Sequence, residues 1–299
     1  MRVFITGASG WIGSHTTDAA LAAGHEVVGL ARSDASAASL DQKGAIVLRG
    51  DLDTLDVIRA GARDADAVIH LANKHDWAHP EDTNRTERSA VQTIADALEG
   101  TGKPFLLASG IAGIATAGAP AVESDATPFI GPDALRGGAE ALALEYRDRG
   151  VQTVALRFAP TTHGTGDHGF IDILVANALA KGVSGHVGDG ANRWGAVHVT
   201  DAAALNVLAL EHADAMPVVH VVAEEGVTTR AIAEAIGRRF DLPVAAISPE
   251  DAPEHFGFLG GFFGMEMSGS SDVTRDTLGW TPTGPTLIAD IEAGAYSRA

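Results

Sequence analysis

The stretch Val3-Phe4-Ile5-Thr6-Gly7-Ala8-Ser9-Gly10-Trp11-Ile12-Gly13 lies near the start of the chain and predicts a strand, a tight glycine turn and a helix. Each glycine has a separate physical task. Gly7 permits the sharp turn, Gly10 lets the backbone approach a phosphate, and Gly13 lets the helix pack closely on the strand. The free N–H groups and the dipole at the helix start favour an anion. The stretch therefore predicts a site for the pyrophosphate of a dinucleotide.

Apolar runs and helix-like runs alternate through the first half of the chain. Strands are predicted at residues 3–5, 26–31, 45–48, 67–71, 104–108 and 151–158. Helices are predicted at residues 11–23, 81–99, 133–149, 170–181, 201–212 and 229–240. Near-continuous apolar strands between helices indicate an α/β fold with a parallel sheet covered on both faces.

Composition excludes several classes of protein. The chain has 299 residues, 39 acidic against 21 basic side chains and a formal net charge of -18, which argues against nucleic acid and anionic membranes as partners. It contains no cysteine, which excludes disulfide scaffolds, thiolate metal sites and a cysteine nucleophile. No apolar run approaches the roughly 18 residues of a membrane span. The chain runs directly into a strand, so we expect no signal peptide and a cytoplasmic location.

The end of the second strand indicates which dinucleotide is bound. An acidic group at this place would bind the ribose 2′-hydroxyl of NAD, whereas an arginine would neutralise the 2′-phosphate of NADP. Arg32 and Ser33 stand there and favour NADP. Asp34 follows directly and could still face the ribose, which leaves NAD as the alternative.

Further motifs occur in order along nearly the whole chain: Gly50-Asp51-Leu52, His70-Leu71-Ala72, Ser109 at a strand end, Arg157-Phe158-Ala159-Pro160 with His163-Gly164, Gly188-Asp189-Gly190, Val197-His198-Val199-Thr200-Asp201-Ala202-Ala203 and Leu278-Gly279-Trp280-Thr281-Pro282. With the first glycine-rich stretch, this set resembles an extended or atypical short-chain dehydrogenase/reductase of the epimerase/dehydratase-like branch. The ordered set is much more specific than any one of its members.

The resemblance implies a Rossmann-like doubly wound parallel sheet with a smaller C-terminal substrate lobe. Residues 1–160 would form the dinucleotide-binding domain and residues 161–299 the substrate-binding lobe, interleaved with the first domain's sheet. Residues near Arg193 and His198 would line that lobe. The cofactor-binding residues would be Gly7, Ser9, Gly10, Trp11, Ile12, Gly13, Arg32, Ser33, Asp51, Leu52, Leu71, Ala72 and Arg136.

The chain departs from the family at its catalytic motif. The family has a tyrosine, with a lysine four residues later, at the start of the helix after the fifth strand. Anchoring on Glu140 places Pro132 at the tyrosine position and Arg136 at the lysine position. Arg136 keeps a positive charge and can hold ribose hydroxyls, but it is no acid near neutral pH. Ser109 is kept at the strand end, whereas the family's catalytic hydroxyl comes one or two residues later.

Histidines are the candidates for the missing proton donor, because histidine titrates near neutrality. His75 lies in the first group, with Asp76, Trp77 and His79, and follows the fourth strand. Two further groups are His163 with Asp167 and His168, and Arg193-Trp194 with His198. A loop histidine bonded to backbone or solvent is the alternative for each. The catalytic candidates are Ser109, Arg136, His75 and His163, and no metal site is expected.

The sequence thus predicts an NAD(P)-dependent oxidoreductase that prefers NADP and acts on a small carbonyl or hydroxyl compound. The alternatives are a non-catalytic NADP-binding sensor and a sugar-type epimerase or dehydratase. The resemblance implies a homodimer through the helices predicted at residues 81–99 and 133–149. The aromatic segment 256–263 is expected to pack in the lobe, with a mobile lid as the alternative.

Overall fold

A seven-stranded parallel sheet forms the centre of the computed structural model, which describes residues 1–76, 78–116 and 118–296. Six of its strands come from the first half of the chain: β1 (Arg2–Thr6), β2 (Glu26–Ala31), β3 (Ile46–Arg49), β4 (Ala67–His70), β5 (Pro104–Gly110) and β6 (Gln152–Phe158). The strand order is β3-β2-β1-β4-β5-β6, followed by a seventh strand, Val218–Val221, beside β6. The direction of winding therefore reverses between β1 and β4, where such sheets bind ligands.

Five helices connect these six strands: α1 (Trp11–Ala22), α2 (Asp34–Gln42), α3 (Leu55–Asp64), α4 (Pro80–Leu98) and α5 (Ala139–Glu145). The side chains of β1 alternate between two cores. Val3 and Ile5 belong to one apolar cluster, and Phe4 belongs to the cluster on the opposite face, with all three fully buried. This alternation follows from the two-residue period of a strand and buries both faces of the sheet.

The remaining elements follow in chain order as β7 (Thr161–His163), α6 (Phe170–Lys181), β8 (Ser184–Val187), β9 (Arg193–His198), α7 (Val199–Glu211), β10 (Val218–Val221), β11 (Glu224–Thr228), α8 (Thr229–Phe240), β12 (Val244–Ile247), α9 (Ala252–Phe256), α10 (Asp272–Leu278) and α11 (Leu287–Ala293). Strands β11, β9 and β7 form one small sheet, and β12 with β8 forms another. A third apolar core holds this lobe together. Phe256 and Phe263 are buried in that core beside Trp194, so both ends of the aromatic segment pack in the lobe, whereas Phe258 between them is exposed.

Strand β10 lies in the central sheet although it comes from the part of the chain expected to form the substrate lobe. Helix α7, which precedes β10 in the chain, packs against α1. Residues from the second half of the chain therefore cover one face of the central sheet. The two regions of the chain are therefore interleaved in space, and the domain boundary at residue 160 stays a prediction. In the described ranges, no helix is both long enough and apolar enough to cross a membrane.

The predicted strands and five of the six predicted helices are present to within two residues at each end. The helix predicted at residues 133–149 is wrong. A left-handed turn at Leu135–Gly138 precedes α5, which is only seven residues long. Gly137 and Gly138 cause the break, because both adopt left-handed backbone angles that end an α-helix. One of the two long helices expected to form a dimer interface is therefore not long.

Candidate functional site

The glycine-rich turn lies at the carboxyl end of β1, beside the point where the sheet reverses. Gly7 has a φ of 69°, and a Cβ there would lie 2.7 Å from the backbone nitrogen of Ala72. A Cβ on Gly13 would lie 2.0 Å from the carbonyl oxygen of Gly7. Helix α1 begins after Gly10 with no capping side chain and no acidic residue in its first turn. Because the first N–H groups of a helix lack helical partners, this helix start is open to an anion.

Trp11 fastens this turn to the C-terminal lobe. Its indole Nε1 donates a hydrogen bond to the carbonyl oxygen of Thr162 at 2.8 Å. The imidazole of His168 meets the indole edge-on, with ring centroids 6.3 Å apart. Ser9 and Ile12 are half-buried in the same turn. The lobe therefore lies directly over the phosphate end of the candidate site.

Two arginines lie at the carboxyl ends of β2 and β3. Arg32 is exposed, and Ser33 caps the start of α2. Arg49 donates to the carbonyl oxygen of Ser33 at 2.6 Å and to the carboxylate of Asp34 at 2.9 Å. The acidic group that could bind a ribose 2′-hydroxyl is thus paired with a cation, and Arg32 remains exposed beside it.

The other residues expected beside the cofactor follow β3 and β4 at the same carboxyl edge of the sheet, which with the glycine-rich turn forms the candidate groove. Asp51 is exposed, and its Oδ1 accepts hydrogen bonds from two backbone N–H groups of the following turn at 3.0 Å. Leu52 is buried, and Leu71 is half-buried. The backbone N–H of Ala72 donates to Oγ1 of Thr6 at 3.3 Å, which ties the end of β4 to β1.

Arg136 belongs to a hydrogen-bonded network that reaches the glycine-rich turn. Its Nη2 donates to Oε1 of Glu87 at 2.6 Å, and Nδ2 of Asn73 donates to the second carboxylate oxygen at 3.0 Å. Glu87 is 1% exposed, whereas the Arg136 side chain is 30% exposed. Nε2 of His70 lies 3.9 Å from the Glu87 carboxylate, and its Nδ1 shares a 2.7 Å hydrogen bond with Oγ1 of Thr6. A buried carboxylate therefore holds a half-exposed guanidinium at the carboxyl edge of the sheet.

The charges in this network are fixed near neutral pH. Burial alone would raise the pKa of Glu87, but the charge of Arg136, with the hydrogen bonds from Arg136 and Asn73, holds that pKa below its usual value. Burial lowers the pKa of His70 and outweighs the opposing charge of Glu87, and Arg136 lowers it a little further. The network is therefore an anion and a cation beside a neutral imidazole.

A left-handed turn presents Arg136. Arg136, Gly137 and Gly138 have φ values of 55°, 62° and 61°. The backbone N–H of Arg136 donates to Oδ1 of Asn84 at 2.8 Å, and Nη1 of Arg88 donates to the carbonyl oxygen of Gly137 at 2.7 Å. A Cβ on Gly137 would lie 2.4 Å from the backbone oxygen of Asn84. Left-handed backbone costs a residue with a side chain about 1–2 kcal/mol, and contacts with α4 offset this strain at Arg136.

Ser109 lies at the end of β5, where the sequence placed it, and its hydroxyl is engaged. Its Oγ donates to Oε2 of Glu140 at 2.5 Å. The other carboxylate oxygen accepts from Nη2 of Arg157 at 2.6 Å. Arg157 is 1% exposed, so this is a buried ion pair. Ser109 can accept a further hydrogen bond, but its proton is committed to Glu140.

The histidines after β4, His75 and His79, lie in the loop that connects the carboxyl end of β4 to α4. His75 is exposed, and desolvation of its imidazole, followed by the charge of Arg136, lowers its pKa. His79 is exposed and lies 3.0 Å from Asp76, whose hydrogen bond raises the pKa of that imidazole. Trp77 lies outside the described residues. His75 is therefore the histidine of this group that lies near Arg136 and is largely neutral at pH 7.

His163 lies inside the C-terminal lobe. It has no exposed surface, and its Nδ1 is 2.7 Å from Oδ2 of Asp290. Glu224 and His198 complete the cluster, since Nε2 of His163 is 3.9 Å from Glu224 and Nε2 of His198 is 3.8 Å from Asp290. Burial lowers the pKa of His163. No set of three potential ligands with metal-binding geometry occurs in the described parts of the chain.

Carboxylates surround the cation expected to line the substrate lobe. Nε of Arg193 lies 3.2 Å from Glu266, and its Nη1 lies 3.6 Å from Glu225. The positive charge of Arg193 is therefore balanced within the protein.

Asp167, expected in the group with His163, is buried, which raises its pKa, and it accepts a hydrogen bond from the hydroxyl of Tyr296 at 2.8 Å.

A cleft of about 560 Å³ lies in the connection between β5 and α5. Among its described lining residues, Asp125 is the only ionisable one, and the others are Gly113, Ile114, Thr116, Ala119, Pro120, Val122, Ala126 and Pro128. Phe129 separates it from Ser109 and Arg136, because its ring lies over Gly113 and also borders the small cavity beside those two residues. The space next to Arg136 is thus bordered by apolar surface.

A doubly wound parallel sheet, with a glycine-rich turn leading into an uncapped helix at the reversal point, defines the Rossmann-like α/β class. The chain belongs to the NAD dependent epimerase/dehydratase family, whose model matches residues 3–223. It is 42% identical over 296 residues to an uncharacterized protein of Schizosaccharomyces pombe, covering 99% of this chain and 100% of that protein. An uncharacterized protein of Saccharomyces cerevisiae is 42% identical over 297 residues, with 98% of each chain covered.

Two further comparisons give reactions for related proteins. A Stigmatella aurantiaca ketoreductase acting on a farnesylated dihydroquinoline oxide is 26% identical over 164 residues, 52% of this chain and 49% of that protein. The UDP-glucose 4-epimerase of Thermus thermophilus, solved with NAD, superposes with a TM-score of 0.75 at 23% identity and covers 99% of this chain and 98% of the epimerase. The latter likeness establishes the shared fold.

The structure brings together the glycine-rich turn, the ends of β2 and β4, His75 and Arg136. His163 follows the residue that binds Trp11, but its buried side chain is directed to Asp290 inside the lobe. Sequence reasoning missed Glu87 and Arg49. Both are single charged residues in segments that read as an ordinary helix and a strand end. The one available signal for Glu87 was its position on the apolar face of an otherwise polar helix.

Proposed function

We propose that this protein is an NADP-preferring oxidoreductase that acts on a small, uncharged carbonyl or hydroxyl compound. The observation that carries the proposal is the open start of α1 at the reversal point of the sheet, with a guanidinium fixed nearby. The glycines there leave no room for side chains and fit a pyrophosphate. The membership in an NAD-dependent family supports the same conclusion.

In this proposal, each part of the cofactor is bound by a different group of residues. The turn of Gly7 to Gly13 would bind the pyrophosphate. The exposed Arg32 would hold a 2′-phosphate, and Arg49 would share that phosphate with its one carboxylate partner, Asp34. Arg136 would orient the ribose on the other side of the turn. When bound, the nicotinamide supplies or accepts a hydride. Since the hydroxyl of Ser109 donates its hydrogen bond to Glu140, we assign the proton transfer to His75, through an ordered water. Its neutral imidazole would accept the proton of a hydroxyl substrate as the hydride leaves, and its imidazolium, the minor form at pH 7, would return a proton to a carbonyl substrate as the hydride arrives.

The charges of the lobe bear on the choice between this proposal and a sugar-type epimerase or dehydratase. A nucleotide sugar carries a diphosphate, which needs cations that the protein has not already neutralised. Arg193 is flanked by Glu225 and Glu266, and the cleft after β5 offers Asp125 and no basic lining residue among those described. These observations favour an uncharged substrate, as does the reaction of the Stigmatella relative.

The test begins with binding. Wild-type protein, Arg32→Ala and Arg49→Ala are titrated with NADPH and NADH by fluorescence, and Arg63→Ala, an exposed arginine at the far end of α3, is the control. Loss of one charge-assisted contact is worth about 1.5–3 kcal/mol, so NADPH affinity should fall roughly tenfold to a hundredfold. NADH affinity should change little. Equal loss for both cofactors would show that neither arginine reads the 2′-phosphate.

Turnover is measured next, as the loss of NADPH absorbance with a panel of ketones, aldehydes and imines, and as epimerisation of UDP-glucose. Oxidation of NADPH by a neutral carbonyl compound supports the proposal, and conversion of UDP-glucose refutes its substrate class. Tight NADPH binding without turnover of any compound favours a sensor, for which the absent catalytic tyrosine is the specific observation. The cytoplasmic location and the homodimer stay predictions.

A further inference from the structure

We propose that Glu87 is a positioning residue for the nicotinamide half of the cofactor site, acting through Arg136. This inference rests on the proposed function and names a residue that the sequence did not single out. Glu87 contacts no groove surface itself, since it is 1% exposed. Its carboxylate reaches the groove through the guanidinium that it holds at 2.6 Å.

The placement of Arg136 follows from the order of the strands. Arg32 lies at the end of β2, on one side of the glycine-rich turn, and binds the adenosine end in the proposed function. Arg136 lies on the other side, beside the ends of β4 and β5, where it borders a small cavity with Ser109. A dinucleotide whose pyrophosphate sits on α1 therefore extends its nicotinamide ribose toward Arg136.

Helix α4 fixes Arg136 through three residues on one face. Asn84 holds the backbone N–H of Arg136, Arg88 holds the next carbonyl group, and Glu87 holds the side chain. Glu87 and Arg88 come three and four residues after Asn84, which puts all three residues on one face of the helix. The left-handed turn thus has its backbone and its side chain fixed by the same helix.

The network also connects Arg136 to the phosphate end of the site. Glu87 lies 3.9 Å from His70, and His70 is hydrogen-bonded to Thr6, the residue immediately before Gly7. Asn73 directly follows the Leu71-Ala72 backbone that packs against Gly7, and it donates to the second oxygen of Glu87. A displacement of the Glu87 carboxylate would therefore move the guanidinium relative to the pyrophosphate site. Loss of its charge would release the arginine into solvent.

The experiment compares two probes that share the adenosine end. Wild-type protein and Glu87→Gln are titrated calorimetrically with NADPH and with adenosine 2′,5′-bisphosphate, which lacks the nicotinamide half. Glu87→Gln should weaken NADPH roughly tenfold, the effect of one charge-assisted hydrogen bond, and change the bisphosphate affinity less than about twofold. Glu99→Gln, an exposed glutamate at the end of the same helix that pairs with Arg149, is the control and should change neither.

A double variant separates positioning from loss of structure. In an Arg136→Gln background, Glu87→Gln should add no further loss of NADPH affinity, because the side chain it positions is gone. Equal weakening of both probes, or an additive loss in the double variant, overturns the inference and marks Glu87 as structural. Unchanged NADPH affinity in Glu87→Gln overturns it as well. Failure of the wild-type protein to bind either probe instead refutes the proposed function.

Discussion

The buried ion pair between Arg157 and Glu140 should be far more costly to break than to replace. Glu140→Leu leaves the guanidinium of Arg157 buried, at 1% exposure, and strands the hydroxyl proton of Ser109. Removing one partner of such a pair costs about 3–5 kcal/mol. At roughly 2.1 cal/mol/K per residue, the unfolding entropy of this chain is about 0.6 kcal/mol/K. The melting temperature should therefore fall by about 5–8 °C.

The double variant Glu140→Leu/Arg157→Met removes both charges and fills the space with apolar atoms. Replacement of a whole buried pair is often neutral, so this variant should be less destabilised than Glu140→Leu alone. The free energy of unfolding is measured by urea denaturation, with thermal melting as a second readout. The exposed pair of Arg149 and Glu99 is the control, and Glu99→Leu should cost less than about 1 kcal/mol. Additive losses in the double variant would refute the reasoning.

Two further predictions concern pH and the glycine-rich turn. Burial lowers the pKa values of three histidines, His70, His163 and His220. Below about pH 6.5 these groups therefore take up protons on unfolding. The free energy of unfolding should be at its full value above about pH 6.5 and fall below it by about 1.4 kcal/mol per pH unit for each histidine. Urea denaturation between about pH 7.5 and 5.5 measures this loss, and a flat profile contradicts it. Gly13→Ala places a Cβ 2.0 Å from an oxygen of Gly7 and should cost about 1–3 kcal/mol and most NADPH affinity in fluorescence titration. Gly261→Ala meets nothing within 4 Å and should leave both quantities unchanged.

The fold was predictable because its signals are local. Strands β1 to β6 are short apolar runs, and glycines mark the turn before α1 and the end of that helix. The helix at residues 133–149 failed for a local reason that the apolar period concealed. Leu135 and Leu142 fit a helical spacing, whereas two adjacent glycines between them adopt left-handed angles. Gly137 packs against α4 and Gly138 against Gly131, contacts that the local sequence does not show.

The candidate site was predictable only in part. The glycine-rich turn, Arg32 and Arg136 stand in motifs that sequence spacing can place. The roles of Ser109 and His163 depend on partners that are distant in sequence, namely Glu140 and Asp290, which lie 31 and 127 residues away. A motif identifies a side chain, but it does not tell whether the proton of that side chain is already committed.

The sequence by itself determined the α/β class, the place of the glycine-rich turn and the absence of the family's tyrosine, because each depends on neighbouring residues. The tertiary structure decided that Glu87 anchors Arg136, that Arg49 pairs with Asp34 and that β10 completes the sheet. These facts join residues from separate elements. Burial and electrostatic pairing arise only when the chain is folded, so no local pattern of residues encodes them.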